Sequence, residues 1–187
     1  MVLVVTCGFL GKGKSLNLAY LVWNNWYFKG REIYANFTIY GIPFIPVKSI
    51  EGLFNMIPPE TTVEEIYSGV EKFFAGDELW KWIDSRNVGE GSIKKKDIID
   101  RVLLASRKSR VTIGYNAQGI HQVDKRIREN TEIFMSPEIF YKWYCKITPV
   151  PLLNGKPVLQ ELNDEQYMFV TDQIYSLFNT YEKIGDI

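Results

Sequence analysis

The sequence predicts an α/β fold in which a mainly parallel central sheet is flanked by helices. Residues 2–6 form a β-branched run without polar alternation, which suits a strand buried on both faces. A glycine-rich turn follows at residues 8–13, and residues 15–28 then show helical spacing of apolar residues without Pro or Gly. A second strand is predicted at residues 32–37, so the chain begins with a strand, loop, helix and strand, which together form a βαβ unit.

The composition indicates one soluble globular domain. The chain has 187 residues, of which 46% are hydrophobic and 24% are charged, as in ordinary single domains. The formal net charge is zero, so overall charge points to no polyanionic partner. Two cysteines and one histidine argue against a zinc cluster and a Ser-His-Asp triad. We find no targeting segment and no apolar run of the ~18–20 residues that spans a bilayer, so we expect a cytoplasmic protein.

The remaining elements follow from shorter patterns. In the middle of the chain we expect a short helix at residues 47–56, a strand at 70–75, a helix at 96–108 and a strand at 111–115. Towards the end we expect a charged helix at 121–130, strands at 133–135, 143–147 and 157–161, and a closing helix at 164–181. We expect one domain over residues 1–187, with a core at 1–135 and the C-terminal strands and closing helix at 136–187.

The strongest motif lies between the first strand and the first helix. Residues 8–15 are Gly-Phe-Leu-Gly-Lys-Gly-Lys-Ser and match G-x-x-x-x-G-K-[ST] at every fixed position. In this phosphate-binding loop, backbone N–H groups face the phosphates, the Lys reaches the β- and γ-phosphate oxygens and the Ser hydroxyl ligates Mg²⁺. We therefore expect ATP and Mg²⁺ as ligands. The predicted nucleotide-binding residues are Gly8, Gly11, Lys12, Gly13, Lys14 and Ser15, of which Lys14 is also catalytic and Ser15 also a metal ligand.

Two acidic residues supply the second part of the predicted site. Asp77 and Glu78 follow the strand predicted at residues 70–75. An ATPase of this kind needs a carboxylate to hold Mg²⁺ and a group that orients the attacking water. We expect Asp77 to ligate the metal and Glu78 to orient the water. The alternative is a surface acidic pair at a helix N-terminus, where the helix dipole favours negative charge.

Gln118 follows the strand predicted at residues 111–115. A polar group at the carboxyl end of a parallel strand faces the ligand crevice. We expect Gln118 to contact the γ-phosphate or the attacking water as a catalytic residue. A loop residue that hydrogen-bonds to the backbone is an equal alternative.

Charge is divided between two zones of the chain. Residues 94–128 contain ten Lys and Arg against three Asp, whereas residues 51–78 contain seven acidic residues against one Lys. The basic zone suits a DNA backbone or the acidic zone of a neighbouring subunit. A solvated helix face is the simpler alternative for such a charge run.

These motifs together resemble one superfamily. Residues 8–15, the segment Asp77–Arg86 and the segment Ser106–Gln118 are similar to the FtsK–HerA superfamily of P-loop ATPases, in particular to viral genome-packaging ATPases and zonula-occludens-toxin-like ATPases of filamentous phages. The resemblance covers residues 1–135 and implies a RecA-like core and a homo-oligomeric ring. It also implies an arginine that acts on the neighbouring subunit's nucleotide. Arg107 is the first choice, Arg110 the second and Arg86 the third.

The resemblance implies an ATP-hydrolysing motor that translocates or packages DNA. Its expected partners are double-stranded DNA and capsid or other virion proteins, in the host cytoplasm or the virion. Toxin-like members resemble an ATPase followed by a membrane anchor, and the lack of an anchor here favours packaging over a toxin-like phage morphogenesis ATPase. A P-loop nucleotide or small-molecule kinase is the alternative from another class, with Arg107, Arg110, Arg126 and Arg128 as lid residues. A switch GTPase is disfavoured because the sequence contains no Asn-Lys-x-Asp.

Overall fold

The computed structural model describes residues 3–49, 52–56, 69–79, 110–119, 123, 125–153, 156–157 and 166–179. Its elements, in chain order, are β1 (Leu3–Cys7), α1 (Lys14–Tyr27), β2 (Glu32–Ala35), β3 (Ile45–Pro46), α2 (Gly52–Met56), β4 (Lys72–Gly76), β5 (Val111–Ala117), α3 (Lys125–Asn130), β6 (Ile133–Phe140), β7 (Tyr144–Leu153), β8 (Lys156–Pro157), β9 (Tyr167–Val170) and α4 (Thr171–Tyr175).

One nine-stranded sheet organises these elements. The strand order is β3-β2-β4-β5-β1-β6-β7-β8, and β9 also pairs with β7. The strands from β3 to β6 along this order are all parallel. The last three strands form an antiparallel extension, since β7 pairs antiparallel with β6, β8 and β9. The predicted α/β fold with a mainly parallel sheet is therefore confirmed.

The first strand is buried on both faces because apolar layers cover each side of the sheet. All five residues of β1 are buried. Val5 packs into a cluster that contains Leu53 of α2 and Ile127 of α3. Val4 points to the opposite face and packs into a cluster that contains Leu18 of α1. Side chains alternate between the two faces of a strand, so an unbroken apolar run is the pattern that this position requires.

Helix α1 is held on the sheet by one apolar face and ends at a glycine. Its buried residues include Leu16, Leu18, Ala19 and Val22. After its last turn, Gly30 adopts a positive φ of 62°, and its N–H donates to the carbonyl of Trp26 at 3.2 Å. A left-handed glycine at this position satisfies carbonyls that the helix end would otherwise leave unpaired.

The C-terminal segment differs from the prediction. The closing helix expected at residues 164–181 is wrong for the described residues, which form β9 followed by the five-residue α4. Tyr167 and Phe169 alternate towards the core, and both rings stack on Tyr20 of α1. This period of two fits a strand that pairs with β7 rather than a helix. Strands β6 and β7 also extend beyond the predicted bounds, because they pair with each other along an eight-residue ladder.

Several predicted elements lie partly or wholly outside the described residues. The helix expected at 96–108 is outside them, and so are most of the residues expected in the strand at 157–161. The charged helix expected at 121–130 is described as α3 from Lys125. None of the helices in the described part of the chain has the length and apolar character that crossing a membrane requires.

The close packing of β5 against its neighbours gives a first test. A methyl group added at Gly114 would lie 2.8 Å from Cζ of the buried Phe73 and 3.4 Å from Leu18, whereas one added at Gly119 would have no atom within 4 Å. We expect Gly114→Ala to lower the free energy of unfolding by about 1–3 kcal/mol through overpacking. Gly119→Ala, the matched control, is expected to change it by less than about 0.5 kcal/mol. Urea unfolding measures both, and equal effects would contradict this packing.

Candidate functional site

The phosphate-binding loop joins β1 to α1 and turns through two glycines. Gly11 and Gly13 have φ values of 76° and 91°, a region that favours glycine. The loop is closed by the N–H of Lys12, which donates to the carbonyl of Phe9 at 3.3 Å. The ammonium group of Lys14 donates to the same carbonyl at 3.0 Å. This places the Lys14 charge across the loop, where it is available to phosphate oxygens.

Strands β6 and β7 pack against this loop at Gly13. A methyl group added at Gly13 would lie 3.1 Å from Ile139 of β6 and 3.3 Å from Sγ of Cys145 of β7. A side chain at Gly13 is therefore disfavoured both by the backbone φ and by close contact. The C-terminal strands thus pack against the phosphate-binding loop, although they lie far beyond the loop motif in the sequence, which ends at Ser15.

The Ser15 hydroxyl and the Asp77 carboxylate meet at the carboxyl edge of the sheet. Ser15 Oγ donates to Asp77, at 3.2 Å from Oδ2 and 3.4 Å from Oδ1. Asn116, the second-last residue of β5, donates from Nδ2 to Asp77 Oδ1 at 2.7 Å. Strand β5 lies between β1 and β4 in the sheet, so Asn116 reaches the carboxylate from the side of the phosphate loop. The two predicted metal ligands, Ser15 and Asp77, are therefore brought together.

Asn36 fixes the backbone of Asp77. It directly follows β2, and its buried side chain forms two hydrogen bonds to the Asp77 peptide groups. Nδ2 donates to the Asp77 carbonyl at 2.8 Å, and Oδ1 accepts from the Asp77 N–H at 2.7 Å. Sequence reasoning missed both Asn36 and the role of Asn116. The available signal was that each is a polar residue at the end of a buried parallel strand, as Asp77 is.

Burial raises the pKa of Asp77 above the ordinary aspartate value. The hydrogen bonds from Asn116 and Ser15 oppose this shift, whereas the charge of Glu78 adds to it. A partly dehydrated carboxylate beside the end of a phosphate-binding loop gains from a cation, which replaces the lost water. The electrostatics of the site therefore favour a positively charged ligand beside Asp77.

The donor set fits Mg²⁺. This ion takes oxygen ligands, usually one or two from the protein together with phosphates and water. Ser15 and Asp77 supply a hydroxyl and a carboxylate within 3.2 Å of each other. Asn116 Oδ1 is a buried acceptor without a hydrogen-bond partner among the described residues. The described residues contain no group of three His, Cys, Asp or Glu that could hold a metal alone, so a Mg²⁺ ion here would also need phosphate or water ligands.

Glu78 and Gln118 flank this arrangement. Glu78 is half-buried and has a positive φ of 47°, unusual for a residue that is not glycine. Its N–H donates to Asp77 Oδ1 at 3.1 Å, so it is held beside the Asp77 carboxylate. Gln118 lies two residues beyond Asn116 and is exposed at the same edge. Their assigned roles towards water and the γ-phosphate stay predictions.

Of the three arginines predicted to act on a neighbouring subunit's nucleotide, the structure describes Arg110. Arg107 and Arg86 lie outside the described residues. Arg110 precedes β5 and therefore lies at the amino edge of the sheet, opposite Ser15 and Asp77. There it pairs with Glu71 at 2.5 Å, and Arg31 binds the other oxygen of this carboxylate at 2.6 Å. The hydrogen bond from Arg31 is the main reason that the pKa of Glu71 is lowered.

Comparison with known proteins identifies the fold. No protein-family model matches the chain, and no curated protein matches it in sequence. The N-terminal domain of zonular occludens toxin from Neisseria meningitidis matches in structure with a TM-score of 0.57 and 13% identity, over 95% of this chain and 98% of that chain. B204, the DNA-packaging ATPase from Sulfolobus turreted icosahedral virus, matches with a TM-score of 0.52 and 10% identity, over 79% of this chain and 91% of that chain.

A third solved structure was determined with a nucleotide. The genome packaging NTPase B204 from Sulfolobus turreted icosahedral virus 2, in complex with AMP, matches with a TM-score of 0.51 and 12% identity, over 75% of this chain and 76% of that chain. These similarities show that the chain has a P-loop NTPase fold, as the sequence predicts.

The cost of ionising the partly buried Asp77 carboxylate gives the second test. The raised pKa means that ionised Asp77 weakens the fold above that pKa, and that this penalty is absent below the unfolded value of about 3.9. Without nucleotide or metal, we expect Asp77→Asn to raise the free energy of unfolding at pH 7 by roughly 0.5–2 kcal/mol. The gain should shrink as the pH falls towards about 4.

Urea unfolding at the two pH values measures this gain. Glu138→Gln is the matched control, because Glu138 is an exposed carboxylate on β6, and we expect it to show no comparable gain. An Asp77→Asn protein that is less stable than wild type at pH 7 would contradict the electrostatic account.

Proposed function

We propose that the chain is a Mg²⁺-dependent ATPase. The observation that carries this proposal is the hydrogen bond from Ser15 Oγ to Asp77 at 3.2 Å. It joins the end of the phosphate-binding loop to a carboxylate 62 residues away in the sequence. A loop whose only task is to bind phosphate does not need a carboxylate partner. A nucleotide hydrolase, by contrast, needs an acid beside the metal-binding hydroxyl.

Each residue has a distinct task in this proposal. Lys14 and the loop N–H groups bind the β- and γ-phosphates and neutralise their charge. Ser15 and Asp77 hold Mg²⁺, which when bound stabilises the charge that develops on the phosphates. Asn36 and Asn116 are positioning residues that fix Asp77. Glu78 orients the attacking water, and Gln118 contacts the water or the γ-phosphate.

We further propose that ATP hydrolysis drives the movement or packaging of DNA. The fold similarity to B204, described as a DNA-packaging ATPase, supports this. The basic zone at residues 94–128 supplies candidate phosphate contacts. Within the proposal the subunits form a ring, with Arg107 as the first candidate for the residue that acts on the neighbour's nucleotide.

A toxin-like role in phage morphogenesis is the second candidate. The similarity to the zonular occludens toxin domain covers 98% of that domain and has the higher TM-score. It therefore includes the C-terminal strands that support the phosphate-binding loop here. An ATPase activity is common to both candidates, whereas stimulation by DNA separates them.

The ATPase rate with and without double-stranded DNA tests the proposal. We expect Mg²⁺-dependent hydrolysis that rises when DNA is added. Lys14→Ala should reduce turnover roughly 10²–10³-fold, because it removes the charge on the phosphates. Glu78→Gln should keep ATP binding and lose turnover by about 10²-fold or more, because the water loses its orienting carboxylate.

The same assay separates the alternatives. Hydrolysis that DNA does not change favours the toxin-like role. Phosphate transfer to a small acceptor in place of hydrolysis would instead establish that the chain is a nucleotide or small-molecule kinase. Turnover in Lys14→Ala that matches wild type would exclude the assigned site.

A further inference from the structure

The turn between β6 and β7 exposes two aromatic side chains and a cation. We call Tyr141, Lys142 and Trp143 the hairpin tip. Tyr141 is 86% exposed and Trp143 is 57% exposed, and Lys142 is also exposed. Large aromatic side chains that stand in solvent on an ordered turn commonly mark a binding surface.

The backbone of the hairpin tip is strained. Tyr141 and Lys142 have φ values of 51° and 63°, and the N–H of Trp143 donates to the carbonyl of Phe140 at 3.1 Å. Two positive φ values in a closed turn are typical of type I′ turns, which strongly prefer Asn and Gly. The sequence instead places a bulky aromatic residue and Lys there. Strain of this kind commonly accompanies function.

A buried threonine holds the strained turn in place. Thr171, at the start of α4, donates from Oγ1 to the carbonyl of Lys142 at 2.6 Å. Its N–H donates to the carbonyl of Trp143 at 2.9 Å. Thr171 is fully buried, so these bonds fix the tip to the folded body. The exposed aromatic rings are therefore presented on a rigid support.

The hairpin that carries the tip also packs against the phosphate-binding loop. Ile139 and Cys145 of the same hairpin pack directly beneath Gly13. Tyr141 follows Ile139 by two residues and Trp143 precedes Cys145 by two, a separation of at most roughly 7 Å along the chain. The ribose and base of a nucleotide whose phosphates occupy the loop can span this separation.

We propose that the hairpin tip binds the base of the nucleotide, with Tyr141 or Trp143 stacked on its ring. This inference rests on the proposed function, because it requires phosphates in the loop. Every base offers a π-face to an aromatic side chain, and stacking needs no further hydrogen bond. A groove for a nucleic-acid strand would need successive aromatic residues and a basic track, whereas the tip offers two rings and one Lys on a single turn.

Calorimetric titration with two ligands tests the inference. ATP contains the base, and inorganic tripolyphosphate contains only the phosphate chain, so both are titrated in the presence of Mg²⁺. We expect the double variant Tyr141→Ala/Trp143→Ala to bind ATP roughly 5- to 100-fold more weakly than wild type. Its affinity for tripolyphosphate should stay within about twofold, which is the variation expected for a surface change. The double variant Tyr141→Phe/Trp143→Phe should keep the affinity for ATP.

A matched control is Tyr27→Ala, because Tyr27 is a 63% exposed aromatic residue at the opposite end of α1. It should leave both affinities unchanged. The inference is overturned if the Ala double variant binds ATP like wild type, or if both affinities fall together. Loss of single-stranded DNA binding with unchanged ATP affinity would assign the tip to nucleic acid instead. Wild-type protein that binds ATP through the tip but never hydrolyses it would overturn only the proposed function.

Discussion

The partly buried carboxylate of Asp77 depends on three strands that end at one edge of the sheet. Ser15 follows β1, Asn36 follows β2 and Asn116 lies at the end of β5, and each forms a hydrogen bond with Asp77. The bonds from Ser15 and Asn116 reach the carboxylate and replace part of the water that burial removes, and a divalent cation would replace more. Parallel pairing of β2, β4, β5 and β1 is what brings residues so distant in sequence to one point.

The C-terminal strands hold the start of α1, which follows the phosphate-binding loop. Asn17, two residues after Ser15, is fully buried and donates to Thr6 of β1 at 2.9 Å. Its Oδ1 accepts from the Tyr167 hydroxyl of β9 at 2.9 Å. Fully satisfied buried polar groups of this kind fix one arrangement of the elements that they join. The antiparallel extension is thus tied to the start of α1 as well as to the underside of the phosphate-binding loop.

The features that could be predicted from the sequence are those that a local pattern of residues encodes. The apolar run of β1 and the loop motif were sufficient for the first βαβ unit and for Ser15, and a strand that ends in an acid was sufficient for Asp77. Asn36 was not predicted as a site residue because its contact with Asp77 exists only after β2 and β4 pair. Residues 164–181 have apolar residues compatible with a helix, and antiparallel pairing with β7, together with stacking on Tyr20, selects the strand β9. Pairing across the sheet carries that information, and spacing along the chain does not.

A double-mutant cycle on the Mg²⁺ dependence of ATP affinity tests the central claim, that Ser15 and Asp77 form one metal-nucleotide site. ATP affinity is measured with and without Mg²⁺ for wild type, Ser15→Ala, Asp77→Asn and the double variant. We expect each single variant to lose most of the affinity that Mg²⁺ adds, and the double variant to lose little more, because residues that share a ligand are not additive. Affinity without Mg²⁺ should change little. Losses that add independently, or a full Mg²⁺ effect in Asp77→Asn, would contradict a shared site.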